Sequence, residues 1–518
     1  MTFFLELLNG FTVLARPDVL GFMVLGFFIG AFFGAMPGLT SVLAIALLLP
    51  VTYSIDVVPA LVMCAAIFMS GMYAGSITAT TINIPGAPSS MMTAIEGNRL
   101  MKKGQGANAL GHAALGSMIG GSVGALLLMA LMPLAAKLSL LIQTPGKFSL
   151  VLFALIVIVI VERAEISKGI VATLLGIMIA TIGIDVMQPI PRIHFGTELL
   201  VEGINMMPII IGTFAICEVL VQAQAHAETL NAQALRVASE IRRRDFLPKW
   251  SEVRDIGLFT YLKSALIGYG IGILPGAGGS MAAFVAYADA KRGSKKPQEY
   301  GDGSREGIAA AESANNSMCG GAFVPMLMFG IPGDPTTAVV LGVLVINGLQ
   351  PGPRLLENQV DLIAPMFASL LVSALILIPL TLFLLGPWFV RIVAIPRGLL
   401  YASIAVVALV GSFVATFSVF QMALAVVFGV LAFFMRKNGY PTVSLLLGFI
   451  LGPDLEQYLR RSLALNDNNP VVFLTSPDSL FFLVLAAVFF YFMVLRKQPA
   501  TGAGLPEDAS SKAAEDRT

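Results

Sequence analysis

The chain has 518 residues, 57% of them hydrophobic and only 12% charged, with a mean hydropathy of +0.84 and a net charge of +1. No soluble domain of this length hides that much apolar surface, so a water-soluble enzyme is excluded and a polytopic membrane protein is implied. The balanced charge gives no argument for nucleic acid, and basic residues inform only through where they cluster.

Arg16 is the first basic residue, and an apolar run with no Lys or Arg before it is not expected to be a cleaved secretory signal. The total apolar length predicts about 11 to 13 crossings at roughly 20 residues each, some of them half-helices. The first is broken at Gly34-Ala35-Met36-Pro37-Gly38, and a second break follows at Ile84-Pro85-Gly86-Ala87-Pro88. Four further spans are predicted near 109–133, 146–162, 169–187 and 204–222. A basic linker at 223–255 carries Arg236, Arg242, Arg243, Arg244, Lys249 and Arg254. The pattern then recurs, with breaks at Gly272-Ile273-Leu274-Pro275-Gly276 and Ile331-Pro332-Gly333-Asp334-Pro335, spans near 362–386, 398–416, 420–435 and 441–457, and a last span at 478–495. The polar tail, 496–518, is expected to be disordered.

Gly34 and Gly272 lie 238 residues apart, and Pro85 and Pro332 lie 247 apart, which predicts one duplicated unit. Copy one has no Lys or Arg from its first break through residue 98, then Arg99, Lys102 and Lys103; copy two has Lys291, Arg292, Lys295, Lys296 and Arg305, then only Arg354. Lys and Arg mark cytoplasmic loops, so matching loops fall on opposite faces. The expected fold is therefore an all-α polytopic membrane protein of two inverted repeats, 1–222 and 256–495 with its final helix, each broken or re-entrant at its Pro-Gly motifs. The linker and the tail are placed in the cytoplasm, and only Arg460 and Arg461 fall on the wrong side.

A helix break at membrane depth exposes backbone N–H and C=O groups that lipid cannot satisfy, so it is tolerated only where protein or a polar cavity covers it. Two such breaks in corresponding places of two halves point to a substrate site. The polar residues around them are neutral: Pro37, Gly38, Thr40, Ser41, Thr80, Thr81, Asn83, Pro85, Gly86 and Ser89 in the first copy. The second copy supplies Pro275, Gly276, Gly278, Gly279, Ser280, Asn315, Asn316, Gly330, Pro332, Gly333 and Thr336. No Lys or Arg lies between Arg16 and Arg99, so helix N-termini must supply the field for an anion. Unwound carbonyls and the amide oxygens of Asn83, Asn315 and Asn316 suit a hard cation. Glu312 and Asp334 are the ionisable candidates for a proton-linked step. Thr78, Thr80 and Thr81 could equally hydrogen-bond the preceding helical turn, and Glu96 reads as a cytoplasmic helix end.

Cys64, Cys217 and Cys319 read as small core residues, and His112, His194 and His226 are too dispersed for a metal site. Gly120-Gly121-Ser122-Val123-Gly124 fits a nucleophile pattern but lies inside an apolar span, where it reads as close helix packing. A phosphate-binding loop and a His-Glu-X-X-His pair are both absent from the sequence, which argues against an ATP-driven pump and a metalloenzyme; no cofactor is expected.

The two motif blocks resemble the large membrane subunit of the tripartite tricarboxylate transporter family. One block runs from Gly34 through Pro37-Gly38-Leu39 and Leu47-Leu48-Leu49-Pro50 to Asn83-Ile84-Pro85-Gly86 and Gly104-Gln105-Gly106. The other runs from Leu274-Pro275-Gly276 through Tyr300-Gly301, Glu312-Ser313-Ala314-Asn315-Asn316 and Gly330-Ile331-Pro332-Gly333 to Gly348-Leu349-Gln350-Pro351-Gly352-Pro353. The resemblance implies a bacterial inner-membrane secondary importer of tricarboxylates or related organic anions, driven by Na⁺ or H⁺. It would work with a small membrane subunit and a periplasmic solute-binding protein. Glu96 stands where the family pattern has Asp, and Asp334 adds a charge where it has a small residue. A channel-like anion facilitator is the alternative.

Overall fold

The computed structural model describes residues 2–161, 165–224, 243–384 and 397–495. Within them the protein is helical, apart from one two-residue hairpin pairing Gly183–Ile184 with Pro191–Arg192. Eight described helices are long and apolar enough to cross a membrane, and a ninth is added if Trp250–Ile256 and Leu258–Ile273, bent by 59°, count as one. Five shorter apolar helices, among them Ser41–Tyr53 and Pro335–Ile346, account for much of the remaining hydrophobic length. The chain is thus an all-α, multi-pass membrane protein. Arg236, Arg242 and the tail from 496 lie outside the described residues.

Four elements set the first half: α1 (Pro17–Gly34), α2 (Ser41–Tyr53), α3 (Val57–Ile82) and α4 (Met91–Lys102). Then come α5 (Gly106–Leu140), α6 (Thr144–Val161), α7 (Ile166–Ala180) and α8 (Met206–Gln224). The second half begins with α9 (Leu258–Ile273), α10 (Gly278–Gly293), α11 (Arg305–Phe329) and α12 (Pro335–Ile346). It continues through α13 (Val360–Leu384), α14 (Arg397–Thr416), α15 (Val419–Lys437) and α16 (Thr442–Ala464), and ends at α17 (Pro477–Val494).

Lipid tails are as apolar as leucine, so these helices associate through close packing, which small residues permit. On α1, a methyl group at Gly26, Gly30 or Gly34 would run into Met63, Ile67 or Gly71 of α3. On α9, one at Gly268 or Gly272 would run into Ala314 or Met318 of α11. The α1 glycines Gly30 and Gly34 are 238 residues from Gly268 and Gly272, and their partners Ile67 and Gly71 are 247 from Ala314 and Met318. The same offsets that relate the motifs therefore relate the contacts. Gly116, Gly120 and Gly124 of α5 pack in the same way on the α11 backbone, so the Gly-X-Ser-X-Gly stretch is a helix contact. Cys64, Cys217 and Cys319 are free and buried.

At the centre α3 and α11 cross in opposite directions: Asn315 Nδ2 donates to the Met72 carbonyl (3.3 Å) and Asn316 Nδ2 to that of Met69 (3.0 Å). Around the start of α11 lies a basic face. Lys103 pairs with Asp302 (2.8 Å), Arg305 Nε donates to Asn108 (2.7 Å), and Glu252 of the linker accepts from Asn108 (2.8 Å). The far end of α11 is closed by Gly352, whose N–H donates to the Leu327 carbonyl (2.7 Å). Arg460 donates to Asp185 (2.7 Å) and Glu456 (2.8 Å), while Arg192 donates to Glu456 (2.7 Å). The Arg460 charge is neutralised in a cluster of Asp185, Arg192, Glu456 and Arg460.

Asp185 in this cluster has its carboxyl held down at about 2, first by the Arg460 hydrogen bond and then by the Met187 N–H. A depressed folded-state value gives stability that is present above the ordinary carboxyl range and lost as pH falls through about 2. Asp185→Asn is expected to lower the thermal midpoint at neutral pH and to flatten its decline below about pH 4. Midpoints measured from pH 7 down to pH 3 check this, and an unchanged acid limb would remove Asp185 from the fold's acid sensitivity.

Candidate functional site

Both Pro-Gly corners are tight turns. Leu39 N–H donates to the Met36 carbonyl (3.1 Å) across Pro37-Gly38, and Ala277 N–H to the Leu274 carbonyl (3.2 Å) across Pro275-Gly276. Gly38 has φ +84° and Gly276 φ +72°, the left-handed value that the third residue of a Pro-Gly turn requires. After the second turn α10 folds back along α9, as the Lys263–Asp289 ion pair (2.6 Å) records, so this break is re-entrant.

The Ile-Pro-Gly breaks also match. Asn83 (φ 59°) caps α3 and Gly330 (φ 68°) caps α11, both in the left-handed conformation that ends helices. The chain then doubles back beside its own helix, with Gly86 N–H donating to the Gly75 carbonyl (3.4 Å). A methyl group at Gly86 would overlap the Gly34 carbonyl, and one at Gly333 would lie 2.7 Å from that of Gly272, so each break is seated on the other break of its half.

These turns surround a cavity of about 540 Å³. It is lined by Thr40, Ser41 and Val42 at the start of α2, by Ala87, Pro88 and Ser89 before α4, by Gly276 to Ser280 at the start of α10, and by Asp334 to Thr336 at the start of α12. Four helical N-termini thus face one space. Met72, Met91, Met92, Val161, Met281, Phe284, Val443 and Met493 complete the wall. Ser280, Pro88, Met91 and Phe284 are exposed and form its mouth. The lining holds no Lys, Arg or His, and Asp334 is its single ionisable group.

The N-termini are built from suitable local sequence. The Thr40 hydroxyl accepts from Leu43 N–H (3.4 Å), and Asp334 accepts from Thr337 N–H (2.8 Å) while the Thr337 hydroxyl accepts from Asp334 N–H (3.0 Å), a capping box. Pro88 and Pro335 occupy first helical positions, where a missing N–H costs nothing. Ser41 Oγ and Thr336 Oγ1 meet at 3.5 Å across the two halves. Gly279 and Ser89, at the matching offsets, also meet: a methyl group at Gly279 would lie 3.0 Å from Ser89 Cβ and 2.6 Å from Asn315 Oδ1.

Of the sequence-predicted site residues, Thr40, Ser41, Ser89, Gly276, Gly278, Gly279, Ser280, Asp334 and Thr336 line this cavity. Pro37, Gly38, Pro275, Gly86 and Gly333 lie in the turns and breaks that adjoin these residues and do not themselves line the cavity. Asn315 lies directly behind Gly279, and Asn316 sits deeper against Met69. Thr81 donates to the Ile77 carbonyl (2.8 Å), so its hydroxyl is spent within α3, whereas the Thr80 hydroxyl is buried with no partner. Asn83 is an exposed helix cap, Gly330 caps the matching helix, and Pro85 and Pro332 lie in the doubling-back segments; these four do not line the cavity. Glu312 is buried on the face of α11 that carries Asn315 and accepts from the Thr93 and Ser117 hydroxyls.

Three features were not predicted. Glu96 is buried and accepts from Tyr287 OH and from Gly301, Gly303 and Ser304 N–H (2.6 to 2.8 Å for the three amides), tying α4 to the loop before α11. Gly38 faces the Gln222 amide and Glu218, which pairs with Arg436 (2.6 Å). Val161, Val443 and Met493 close the cavity from elements far away in sequence, which no local signal announces.

A cavity bounded by paired helix breaks inside a multi-pass helical membrane protein is the arrangement in which membrane transport proteins place a substrate site. Residues 20–447 match the Tripartite tricarboxylate transporter TctA family, and the chain belongs to that family, which is one of transporters and not of enzymes. Two relatives from Agrobacterium vitis are similar. The "Uncharacterized 52.8 kDa protein in TAR-I ttuC' 3'region" is 33% identical over 470 residues, 90% of this chain and 91% of that protein. The "Uncharacterized protein in TAR-II ttuC' 3'region" is 37% identical over 207 residues, 40% of this chain and 85% of that protein. No solved structure matches the chain at a significant level.

Proposed function

We propose that this chain is the large permease subunit of a cation-coupled importer of carboxylates in a bacterial inner membrane, working with a small membrane subunit and a periplasmic solute-binding protein. The carrying observation is the convergence of four helix N-termini on a cavity with no basic side chain. The N-termini of α2, α4 and α10 have no charged cap, and each brings N–H donors and roughly half a positive charge, so together they suit an anion whose charge is spread over several carboxylate oxygens; at α12 the Asp334 cap takes up the first N–H groups. The hydroxyls of Thr40, Ser41, Ser89, Ser280 and Thr336 add donors on the cavity wall.

Alternating access would use two halves inserted in opposite directions. Supporting this are the matching contacts at offsets of 238 and 247 and the antiparallel crossing of α3 and α11. Single cysteines at Lys103, on the basic face, and at Arg354, beyond the far end of α11, are expected to react with an impermeant thiol reagent from opposite sides of the membrane. An α-helix of 25 residues is about 37 Å long, enough to separate them across the bilayer. Labelling of both from one side would defeat the inverted arrangement.

The transport reading is tested in proteoliposomes with a labelled carboxylate, citrate first. Counterflow against internal unlabelled substrate is the expected result, and a Na⁺ or proton gradient should drive net accumulation. Passive equilibration without counterflow would replace the carrier with a channel-like facilitator.

A further inference from the structure

Glu312 sits in the middle of the protein with its side chain fully buried, and no ion pair reaches it among the described residues. Both its oxygens accept from hydroxyls, Oε1 from Thr93 of α4 and Oε2 from Ser117 of α5. Three residues further on, and so on the same helix face, Asn315 is also fully buried. Its amide orientation is fixed by donation to the Met72 carbonyl, which leaves Oδ1 without a partner and turned toward Gly279 in the cavity wall. Asn316 repeats the arrangement: its Nδ2 is held by the Met69 carbonyl, and its Oδ1 has no partner.

An isolated buried carboxylate is costly, and an orphaned buried amide oxygen adds to that cost. The groups around Glu312 are the Thr93 and Ser117 hydroxyls and the Asn315 amide, which also hydrogen-bonds the carboxylate, with no cationic side chain among the described residues. A proton would neutralise Glu312 yet leave the Asn315 oxygen unserved. A small hard cation answers both needs, since such ions take oxygen ligands from carboxylates, amides and hydroxyls together. One carboxylate among neutral ligands balances a single positive charge.

We propose that Glu312 and Asn315 bind a monovalent cation of the Na⁺ class, immediately behind the cavity wall at Gly279, with the Thr93 and Ser117 hydroxyls completing the oxygen shell. The proposal rests on the carboxylate-transport reading only in making this ion the coupled one; the binding itself does not depend on it. A cation there would lie beside the N-terminus of α10 and raise the positive potential felt by an anion in the cavity, giving the two ligands mutual positive coupling.

The test uses the full chain purified in detergent without any carboxylate. The thermal midpoint is followed as NaCl replaces choline chloride at constant ionic strength, with ²²Na⁺ binding measured in parallel. Wild type is expected to gain stability saturably, because an ion that binds only the folded state stabilises it. Glu312→Gln, which keeps the shape and an acceptor, should lose the response, and Asn315→Ala should weaken Na⁺ binding by about tenfold or more. A wild type indifferent to Na⁺ overturns the proposal, as does either variant binding Na⁺ like wild type; should Glu312→Gln not fold, Asn315→Ala decides alone. Intact Na⁺ binding without carboxylate counterflow would sink the transport reading and spare this site, whereas counterflow by a chain that binds no Na⁺ would sink the site alone.

Discussion

Gly120→Val is expected to leave almost no folded protein in the membrane. A side chain at this position on α5 would overlap the Ser313 carbonyl oxygen and lie 2.5 Å and 2.6 Å from the Ser313 carbonyl carbon and Cα, all backbone atoms of α11. Backbone cannot swing aside as a flexible side chain does, so the two helices must separate along their length. Overpacking a core costs about 1–3 kcal/mol when side chains can rearrange, and here they cannot. The separated surface includes Ser117, which donates to Glu312, so the fault would spread into the centre of the protein. Gly270→Ala is the control, because nothing lies within 4 Å of a methyl group there. Detergent extraction followed by gel filtration of both variants makes the comparison. A monodisperse Gly120→Val protein at the wild-type yield would mean that α5 and α11 do not pack backbone to backbone.

The glycine stripes show why so much of this architecture was legible in the sequence. In lipid a helix break must be covered and a close helix crossing must be cleared of side chains, so both leave marks that local reading finds. Predicted spans such as 146–162 and 420–435 correspond to α6 and α15, and the Pro-Gly corners are the turns that bound the cavity. What local reading missed are groups whose role depends on a distant partner. Glu96, read as a cytoplasmic helix end, is buried under three backbone amides some 205 to 208 residues away. Asn83 carries the same amide as Asn315, yet its place at a helix terminus leaves it exposed and free to adopt a left-handed cap. Residue type gave both amides the same hydrogen-bonding capacity, and only packing decided which of them is buried. Gly38 and Gly276 differ for the same reason: the turns are alike, but the first faces Gln222 and Glu218 while the second faces Ile158. The duplicated motif predicts the shared turn and is silent on its surroundings.

In the cavity wall the two halves differ in charge at Asp334, since the residue at the corresponding offset in the first half is Ala87. Its carboxylate does structural work as the N-cap of α12 and at the same time places a negative group in the wall of a cavity proposed to hold an anion. Two substitutions separate these roles. Asparagine keeps a capping oxygen for Thr337 N–H and removes the charge; alanine removes both. At an effective dielectric constant of 20, like unit charges about 6 Å apart repel by roughly 3 kcal/mol, and even half of that is about tenfold in affinity. Asp334→Asn is therefore expected to fold normally and to bind the carboxylate about tenfold more tightly by isothermal titration. Asp334→Ala should also bind more tightly but lose about 1 kcal/mol of stability with its cap. The opposite outcome, weaker binding by Asp334→Asn, would mean that this carboxyl assists the substrate, either by donating its own proton to it or by holding a cation against it. That result would move the second charge of the transport cycle from Glu312 to the cavity wall.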